Sequence, residues 1–242
     1  MGLHFGGRGA LAAIFAMAFS GLAHAGPIQF AELTGFVHAS GGLITQLNSS
    51  SSGYSSSLDS NNLGTFGWTF TNGTGSTLNA VQFLLFLDAD IDRDLNTFFN
   101  EYGTFISLGL PPGSPGGAIA ASTWEIDEPG FVFGNIYNNL LAGTLDNTNG
   151  VPSSAPDDVS LALGFSIGTL APGSSFTITM RTSLTNIGGL SQTDPGSGNQ
   201  FFLNGYAETA GAPTETVPEP TTAGLIAIGI LALAVTRARS RR

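Results

Sequence analysis

Four aspartates alternate with other residues in one short stretch of the chain, FLDADIDRDLNTFFNEYG, residues 86–103. They are Asp88, Asp90, Asp92 and Asp94, and Glu101 follows them closely. On an extended chain, side chains spaced by two lie on one face, so the four carboxylates would be neighbours. Like charges that close repel one another unless a cation screens them. Ca²⁺ takes roughly six to eight oxygen ligands, typically from Asp and Glu, so these five residues form a candidate calcium site.

The spacing can be compared with the calcium loop of an EF-hand, in which Asp90 would stand first and Glu101 last. Two positions depart from that loop: the required glycine is replaced by Leu95, and the usual aliphatic residue is replaced by Thr97. No flanking helical pattern accompanies the stretch, so it is not an EF-hand. Two interpretations stay open, a different calcium loop at the end of a strand or a solvated acidic turn that protects an edge strand from aggregation.

A second acidic segment, TWEIDEPG at residues 123–130, contains Glu125, Asp127 and Glu128 beside Trp124. It could supply further ligands if the fold brings it close. Otherwise the segment is expected to be an exposed loop with Trp124 half-buried. Carboxylate pairs also serve glycoside hydrolases, which need two acids roughly 5–10 Å apart beside a sugar cleft. Sequence alone fixes no such distance, so a polysaccharide-active hydrolase is kept as an alternative.

Composition narrows the classes of function. The chain has no cysteine, which excludes disulfides, thiol catalysis and thiolate metal sites. Its formal net charge is −10, whereas contacts to nucleic-acid phosphates need Lys and Arg, so nucleic acid is not expected as a partner. Beyond residue 25 the only histidine is His38, which argues against a His-rich zinc site or a Ser-His-Asp triad. We therefore predict a non-enzymatic protein with no catalytic residues and with Ca²⁺ as the possible cofactor.

The first 25 residues have the order of a secretory signal peptide. Arg8 precedes an apolar run at residues 10–19, and Ala23-His24-Ala25 forms an A-x-A cleavage site before Gly26. The run is shorter than the roughly 20 apolar residues that span a bilayer. The sequence therefore predicts an N-terminal signal helix and export of the remainder.

Residues 26–206 are rich in Gly, Ser, Thr and Asn and carry short alternating apolar runs between turn signals. This pattern predicts an all-β domain. Strands are expected at 28–37 and 201–206, with a hairpin or strand-turn-strand corner at 64–88 whose partner is a second such unit at 157–184.

Other segments of the body lack this alternation. The polar residues 48–62 are expected to be a loop, residues 95–102 and 135–141 are expected to form short helical turns, and residues 207–216 are expected to be a linker. The turn Asn72-Gly73-Thr74-Gly75 followed by L-x-x-V at 78–81, together with a G-x-L-x-P-G turn at 168–173, resembles the strand pairs of immunoglobulin-like bacterial surface domains. That resemblance implies an immunoglobulin-like β-sandwich.

The last 26 residues combine three features. Val217-Pro218-Glu219-Pro220 precede an uncharged apolar run at 221–236, and the chain then ends on Arg237, Arg239, Arg241 and Arg242. The run is slightly short for a transmembrane helix, but snorkelling arginines can cover the difference. Because positive flanks stay in the cytoplasm, we expect the body to lie outside the membrane.

This order resembles the PEP-CTERM sorting signal of Gram-negative bacteria. The resemblance implies recognition of residues 217–220 by an exosortase, a membrane-anchored intermediate, and final release or attachment at the cell surface, in association with exopolysaccharide or biofilm matrix. The leading expectation is thus an exported, exosortase-sorted surface or matrix protein. A calcium-dependent adhesion or carbohydrate-binding module is the first alternative and the hydrolase the second.

Overall fold

The computed structural model describes residues 28–95, 97–130 and 132–211. The predicted signal peptide with Ala23, Ala25 and Gly26, the residues 212–216 of the linker, and the sorting signal with its motif, apolar run and arginines lie outside these residues. Within the described part of the chain, no helix has the length and apolar character needed to cross a membrane.

The described residues form twelve strands and two short helices. The strands are β1 (Ile28–Ala39), β2 (Gly42–Leu47), β3 (Tyr54–Ser56), β4 (Gly64–Thr71), β5 (Leu78–Ile91), β6 (Tyr102–Ser107), β7 (Ile119–Ala120), β8 (Thr123–Asp127), β9 (Ser160–Leu170), β10 (Ser175–Ser183), β11 (Gly189–Thr193) and β12 (Gln200–Ala210). The helices are a 3₁₀ turn at Phe98–Asn100 and α1 (Ile136–Ala142), close to the two helical turns expected from the sequence.

The strands build two antiparallel sheets, which confirms the all-β prediction. The five-stranded sheet has the order β2-β1-β5-β9-β8. The seven-stranded sheet has the order β3-β4-β10-β12-β11-β6, and β7 pairs with β12 at its side.

The main core lies between the two sheets. Alternate residues of β5, among them Phe83, Leu85 and Leu87, pack against Trp68 and Phe176 of the seven-stranded sheet. The rings of Trp68 and Phe83 lie 5.7 Å apart between centroids. Each buried aromatic removes roughly 150–250 Å² from water, so a domain without disulfides can be held together by this layer.

The other face of β5 is also buried. Leu84 and Phe86 belong to a smaller cluster with Ile136 and Leu140, so α1 covers the outer face of the five-stranded sheet. The apolar run 83–87 has no polar face, and the two clusters bury both of its sides. The helix ends at Gly143, whose left-handed conformation (φ 78°) lets its backbone N–H reach the last carbonyls.

The segment 64–88 is a corner rather than a hairpin, because β4 lies in one sheet and β5 in the other. Asn72 holds the corner: its Nδ2 donates to the carbonyls of Ser76 and Leu170, each at 2.8 Å. The strands β9 and β10 form a second corner that pairs with the first, β9 with β5 and β10 with β4. This confirms the predicted partnership of the two units.

In three segments, the structure contains strands where the sequence predicted a loop or a linker. Within the expected loop 48–62, β3 pairs with β4. Residues 123–127 form β8 instead of an exposed loop, although Trp124 is half-buried as expected and stacks on Phe105 at 4.4 Å. The last strand continues through Ala210, since Ala207 is buried and pairs with Ile178 and Ile119, so the expected linker at 207–216 begins inside the sheet.

Candidate cation site and adjacent pocket

The end of β5 places two of the predicted ligands on the outer face of the five-stranded sheet. Leu87, Ala89 and Ile91 point into the core between the sheets. The period of two therefore directs Asp88 and Asp90 to the opposite face. Both side chains are buried there, with Asp88 only 7% and Asp90 only 3% exposed.

A third carboxylate joins them from the segment that leads into β9. This carboxylate belongs to Asp158. One carboxylate oxygen from each of Asp88, Asp90 and Asp158 lies within 4.8 Å of the other two. We refer to Asp88, Asp90 and Asp158 as the carboxylate trio. The trio forms because β5 and β9 are neighbours, with Asp88 directly opposite Ser160.

Ser160 adds an oxygen to this place. Residues directly opposite on antiparallel strands point to the same face with Cβ atoms roughly 5 Å apart, so Ser160 and Asp88 share the outer face of the sheet. The Ser160 Oγ is fully buried and has no hydrogen-bond partner among the described residues. Three carboxylates therefore converge here, and Ser160 adds a buried, unpaired hydroxyl on the same face of the sheet.

The electrostatics of the trio are unfavourable without a counter-ion. Burial, reinforced by the charges of Asp158, Asp90 and Glu32, raises the pKa of Asp88 to about 7. Burial and the neighbouring Asp90 also raise the pKa of Asp158 to about 6. Arg93 is the cation at the site: its Nη1 donates to Asp90 Oδ2 at 3.2 Å from a half-exposed side chain. One exposed guanidinium does not balance three close carboxylates, and a divalent cation would.

A pocket of about 730 Å³ adjoins the trio and shares Asp158 with it. Its walls combine aromatic and aliphatic side chains with carboxylates: Phe98, Phe99, Glu128, Pro129, Gly130, Val132, Phe133, Asp157 and Asp158. Phe99 is 59% and Phe133 68% exposed, which is unusual for phenyl rings. Phe99 packs against Phe98 at 4.2 Å between ring centroids, and the exposed surface of both Phe99 and Phe133 is accessible to a ligand.

The second acidic segment of the sequence builds this pocket. Asp127 Oδ2 accepts from the backbone N–H of Asn135 at 2.7 Å and so closes the loop that carries Phe133. Glu125, only 1% exposed, accepts from Asn139 Nδ2 at 2.8 Å and from the N–H of Asp146 at 3.1 Å. Burial raises the pKa of Glu125. Glu125 and Asp127 thus fix the helix and the loop, while Glu128 lines the pocket itself.

The remaining predicted ligands lie apart from the trio. The strand ends at Ile91, and Asp92 adopts a left-handed conformation (φ 57°), which breaks the alternation on which the four-aspartate prediction depended. Asp94 is exposed and accepts from Gln29 Nε2 at 3.1 Å. Asp92 and Glu101 are buried among polar side chains from other segments. Of the five predicted residues, the structure therefore places only Asp88 and Asp90 in the trio.

Sequence reasoning missed Asp158 and Ser160. The signal that could have found them is the DDVS sequence at 157–160, which opens the strand that was correctly paired with β5. Only the register, which places Ser160 opposite Asp88, makes these residues part of the site.

His38 lies in β1, opposite Gln82, as a buried strand residue. Its Nε2 lies 2.8 Å from the carbonyl oxygen of Leu140, and burial lowers its pKa. Asp88 lies six positions after Gln82 on β5, or roughly 20 Å along the strand, so His38 is not part of the trio.

No family model, no curated protein and no solved structure matches this chain.

Proposed function

We propose that this chain is an exported surface or extracellular-matrix protein whose β-sandwich binds Ca²⁺ at the carboxylate trio and a carbohydrate ligand in the adjacent pocket. The observation that carries the proposal is the convergence of one oxygen each from Asp88, Asp90 and Asp158 within 4.8 Å, with Asp88 and Asp90 buried and Asp158 half-buried. Buried like charges are costly unless a cation compensates them.

The chemistry of the donors favours Ca²⁺ among metal ions. The trio and Ser160 offer oxygen atoms only, and hard cations prefer such ligands. Four oxygens fill about half of the roughly six to eight positions around Ca²⁺. The remaining positions would be open to water or to hydroxyl and carboxylate oxygens of a ligand in the pocket, because Asp158 is common to both.

The pocket favours a small or modular ligand such as a sugar unit. Its volume of about 730 Å³ lies within the range of small-ligand sites, roughly 300–1,000 Å³. The exposed faces of Phe99 and Phe133 can pack against the apolar face of a sugar ring, while Ca²⁺ and the acidic wall interact with its hydroxyl groups. Exopolysaccharide is therefore the ligand class we propose, in a non-enzymatic binding role.

Export and sorting are proposed from the two ends of the sequence. The signal peptide with cleavage before Gly26 and the motif Val217-Pro218-Glu219-Pro220 support recognition by an exosortase and a membrane-anchored intermediate. Deleting residues 217–242 and fractionating the cells tests this part. The deleted protein is expected to lose its envelope location, and unchanged retention there would contradict exosortase sorting. An immunoglobulin-like relationship of the sandwich is proposed as well, supported by its two paired corners.

Calorimetry tests the cation site directly. The exported chain is stripped with EDTA and titrated with Ca²⁺ as the wild type, Asp88→Asn, Asp158→Asn and the matched control Asp94→Asn. We expect each trio variant to bind at this site at least ~10-fold more weakly, and the control to match the wild type, because Asp94 is exposed and outside the trio.

Two results would contradict the proposal: no binding heat at about 5 mM Ca²⁺, since even a millimolar Kd would be detected there, or equal losses in Asp88→Asn and Asp94→Asn. Release of reducing ends from the host polysaccharide by the purified protein would assign the hydrolase function instead.

A further inference from the structure

Asp92 and Glu101, the two buried acids that lie apart from the trio, belong to a second polar network. It forms where the end of β5, the 3₁₀ turn and the β11–β12 hairpin meet. Its members are Asp92, Asn100, Glu101, Gln192, Asp194 and Asn199. Four of them are almost inaccessible, with Asp92 2% exposed and Glu101, Gln192 and Asp194 0% exposed.

The side-chain amides of this network donate hydrogen bonds to its carboxylates, and one of them also donates to a backbone carbonyl. Asn100 Nδ2 donates to Asp194 Oδ1 at 3.0 Å, and Asn199 Nδ2 donates to Asp92 Oδ2. Gln192 Nε2 donates both to the carbonyl of Ala89 and to Glu101 Oε2. The backbone of the hairpin closes the network, since the N–H of Asp194 donates to the carbonyl of Asn199 at 2.9 Å.

Three oxygens of the network remain without a partner among the described residues: Asp92 Oδ1, Asn100 Oδ1 and Gln192 Oε1, each in a fully buried position. All three are acceptors. The amide orientations are fixed, because the nitrogens face the Asp194 carboxylate and the Ala89 carbonyl. Rotating either amide would therefore replace a hydrogen bond with a contact between two acceptors. The group that completes this network must be a donor or a cation.

We propose that this network binds a second, buried divalent cation, with Asp92 Oδ1, Asn100 Oδ1 and Gln192 Oε1 as ligands. One Ca²⁺ bound by all three oxygens would leave none of them unpaired and would balance the nearby carboxylates, whereas one water molecule has only two protons to donate. No basic side chain serves this purpose: Arg93 and Arg181 are the only Lys or Arg between residues 28 and 211. Arg93 pairs with Asp90, and Arg181 is exposed on β10.

The two cation sites would have different roles. The trio adjoins the open pocket, whereas the second site is closed and joins three chain segments. One of these segments is the 3₁₀ turn, which carries Phe98 and Phe99 of the pocket wall. Loss of the second ion is therefore expected to loosen that wall as well as the sandwich edge.

Stoichiometry of Ca²⁺ binding to the EDTA-stripped exported chain tests the second site. We expect two ions on the wild type and on Asp94→Asn, and one ion each on Asp92→Asn and Asp88→Asn. Asp92→Asn suits the test because Asn tolerates the left-handed backbone at this position. Its amide oxygen can still accept from Asn199, while an N–H in place of Asp92 Oδ1 removes a ligand, because an amide N–H cannot coordinate a cation.

Thermal unfolding separates loss of the ion from loss of the fold. In EDTA, Asp92→Asn is expected to melt at or above the wild-type temperature, because it removes a buried carboxylate whose Oδ1 the metal-free wild type leaves unpaired. In excess Ca²⁺ the order is expected to reverse, since binding to the native state raises the melting temperature.

The inference is overturned if Asp92→Asn binds as many ions as the wild type, or if the wild type binds one ion that Asp88→Asn abolishes. The latter result leaves the proposed trio site intact. Conversely, one ion on the wild type that Asp92→Asn abolishes and Asp88→Asn retains would refute the trio site and support this one.

Discussion

Replacing Asp88 with Asn is expected to have opposite effects on stability with and without calcium. In the metal-free protein, burial and neighbouring carboxylates raise the pKa of Asp88 from 3.8 to about 7. The folded state therefore holds the Asp88 proton more tightly than the unfolded chain does. Stability due to this group is fully present below about pH 4 and is lost as the pH rises through about 7.

The magnitude follows from that shift. About three pKa units at ~1.36 kcal/mol each give an upper limit of about 4 kcal/mol for the cost of an ionised Asp88. Asp88→Asn removes this cost. In EDTA at pH 8, the variant is thus expected to be more stable than the wild type by up to about 4 kcal/mol, with the difference shrinking toward zero near pH 4. In saturating Ca²⁺ the wild type is expected to be the more stable protein, because the variant lacks a charged ligand.

Urea unfolding followed by tryptophan fluorescence measures both differences, at several pH values between about 4 and 8 and in EDTA or Ca²⁺. Asp94→Asn is the control, since substitutions of exposed residues outside such features change stability by less than about 0.5 kcal/mol. A variant that is less stable than the wild type in EDTA at pH 8, or a difference that does not vary with pH, would refute the reasoning.

Three further predictions concern the scaffold and the pocket. Asn72→Ala removes the side chain that holds the β4–β5 corner, so urea unfolding should show a loss of about 2–4 kcal/mol; a loss under 1 kcal/mol would contradict its role. Gly143→Ala introduces a Cβ at φ 78° within 3 Å of His38 Nδ1, so a loss of about 1–3 kcal/mol is expected, and unchanged stability would contradict the tight helix end. Phe133→Ala removes an exposed ring, so stability should change by less than about 0.5 kcal/mol while polysaccharide retention falls at least ~5-fold; equal retention would exclude this wall from binding.

Local sequence pattern predicted the strands that carry the trio. The alternation in β9 and β10 and the apolar run of β5 are properties of the chain itself, so the paired corners and the two-sided burial of β5 could be inferred from them. The strand β8 was missed because Glu125 occupies a buried position. Its partners, Asn139 and the N–H of Asp146, come from α1 and the following loop, and no local pattern indicates that pairing.

Which residues belong to each candidate site could not be predicted from local sequence, because their membership depends on strand ends and strand register. Spacing by two grouped Asp92 with Asp88, but a left-handed residue after the strand end sends it into a different network. Asp158 joins the trio only through the β5–β9 register. Gln192 and Asn100 are common amides in ordinary sequence context, and only their unpaired buried oxygens distinguish them.

A crystal of the protein grown in Tb³⁺ or Ca²⁺ and examined for anomalous scattering is the most direct test of calcium binding at the trio. We predict a peak within roughly 2.3–2.6 Å of oxygens from Asp88, Asp90 and Asp158 together. No peak there, with the Arg93 guanidinium or water molecules filling the space between the three carboxylates, would contradict the proposed function.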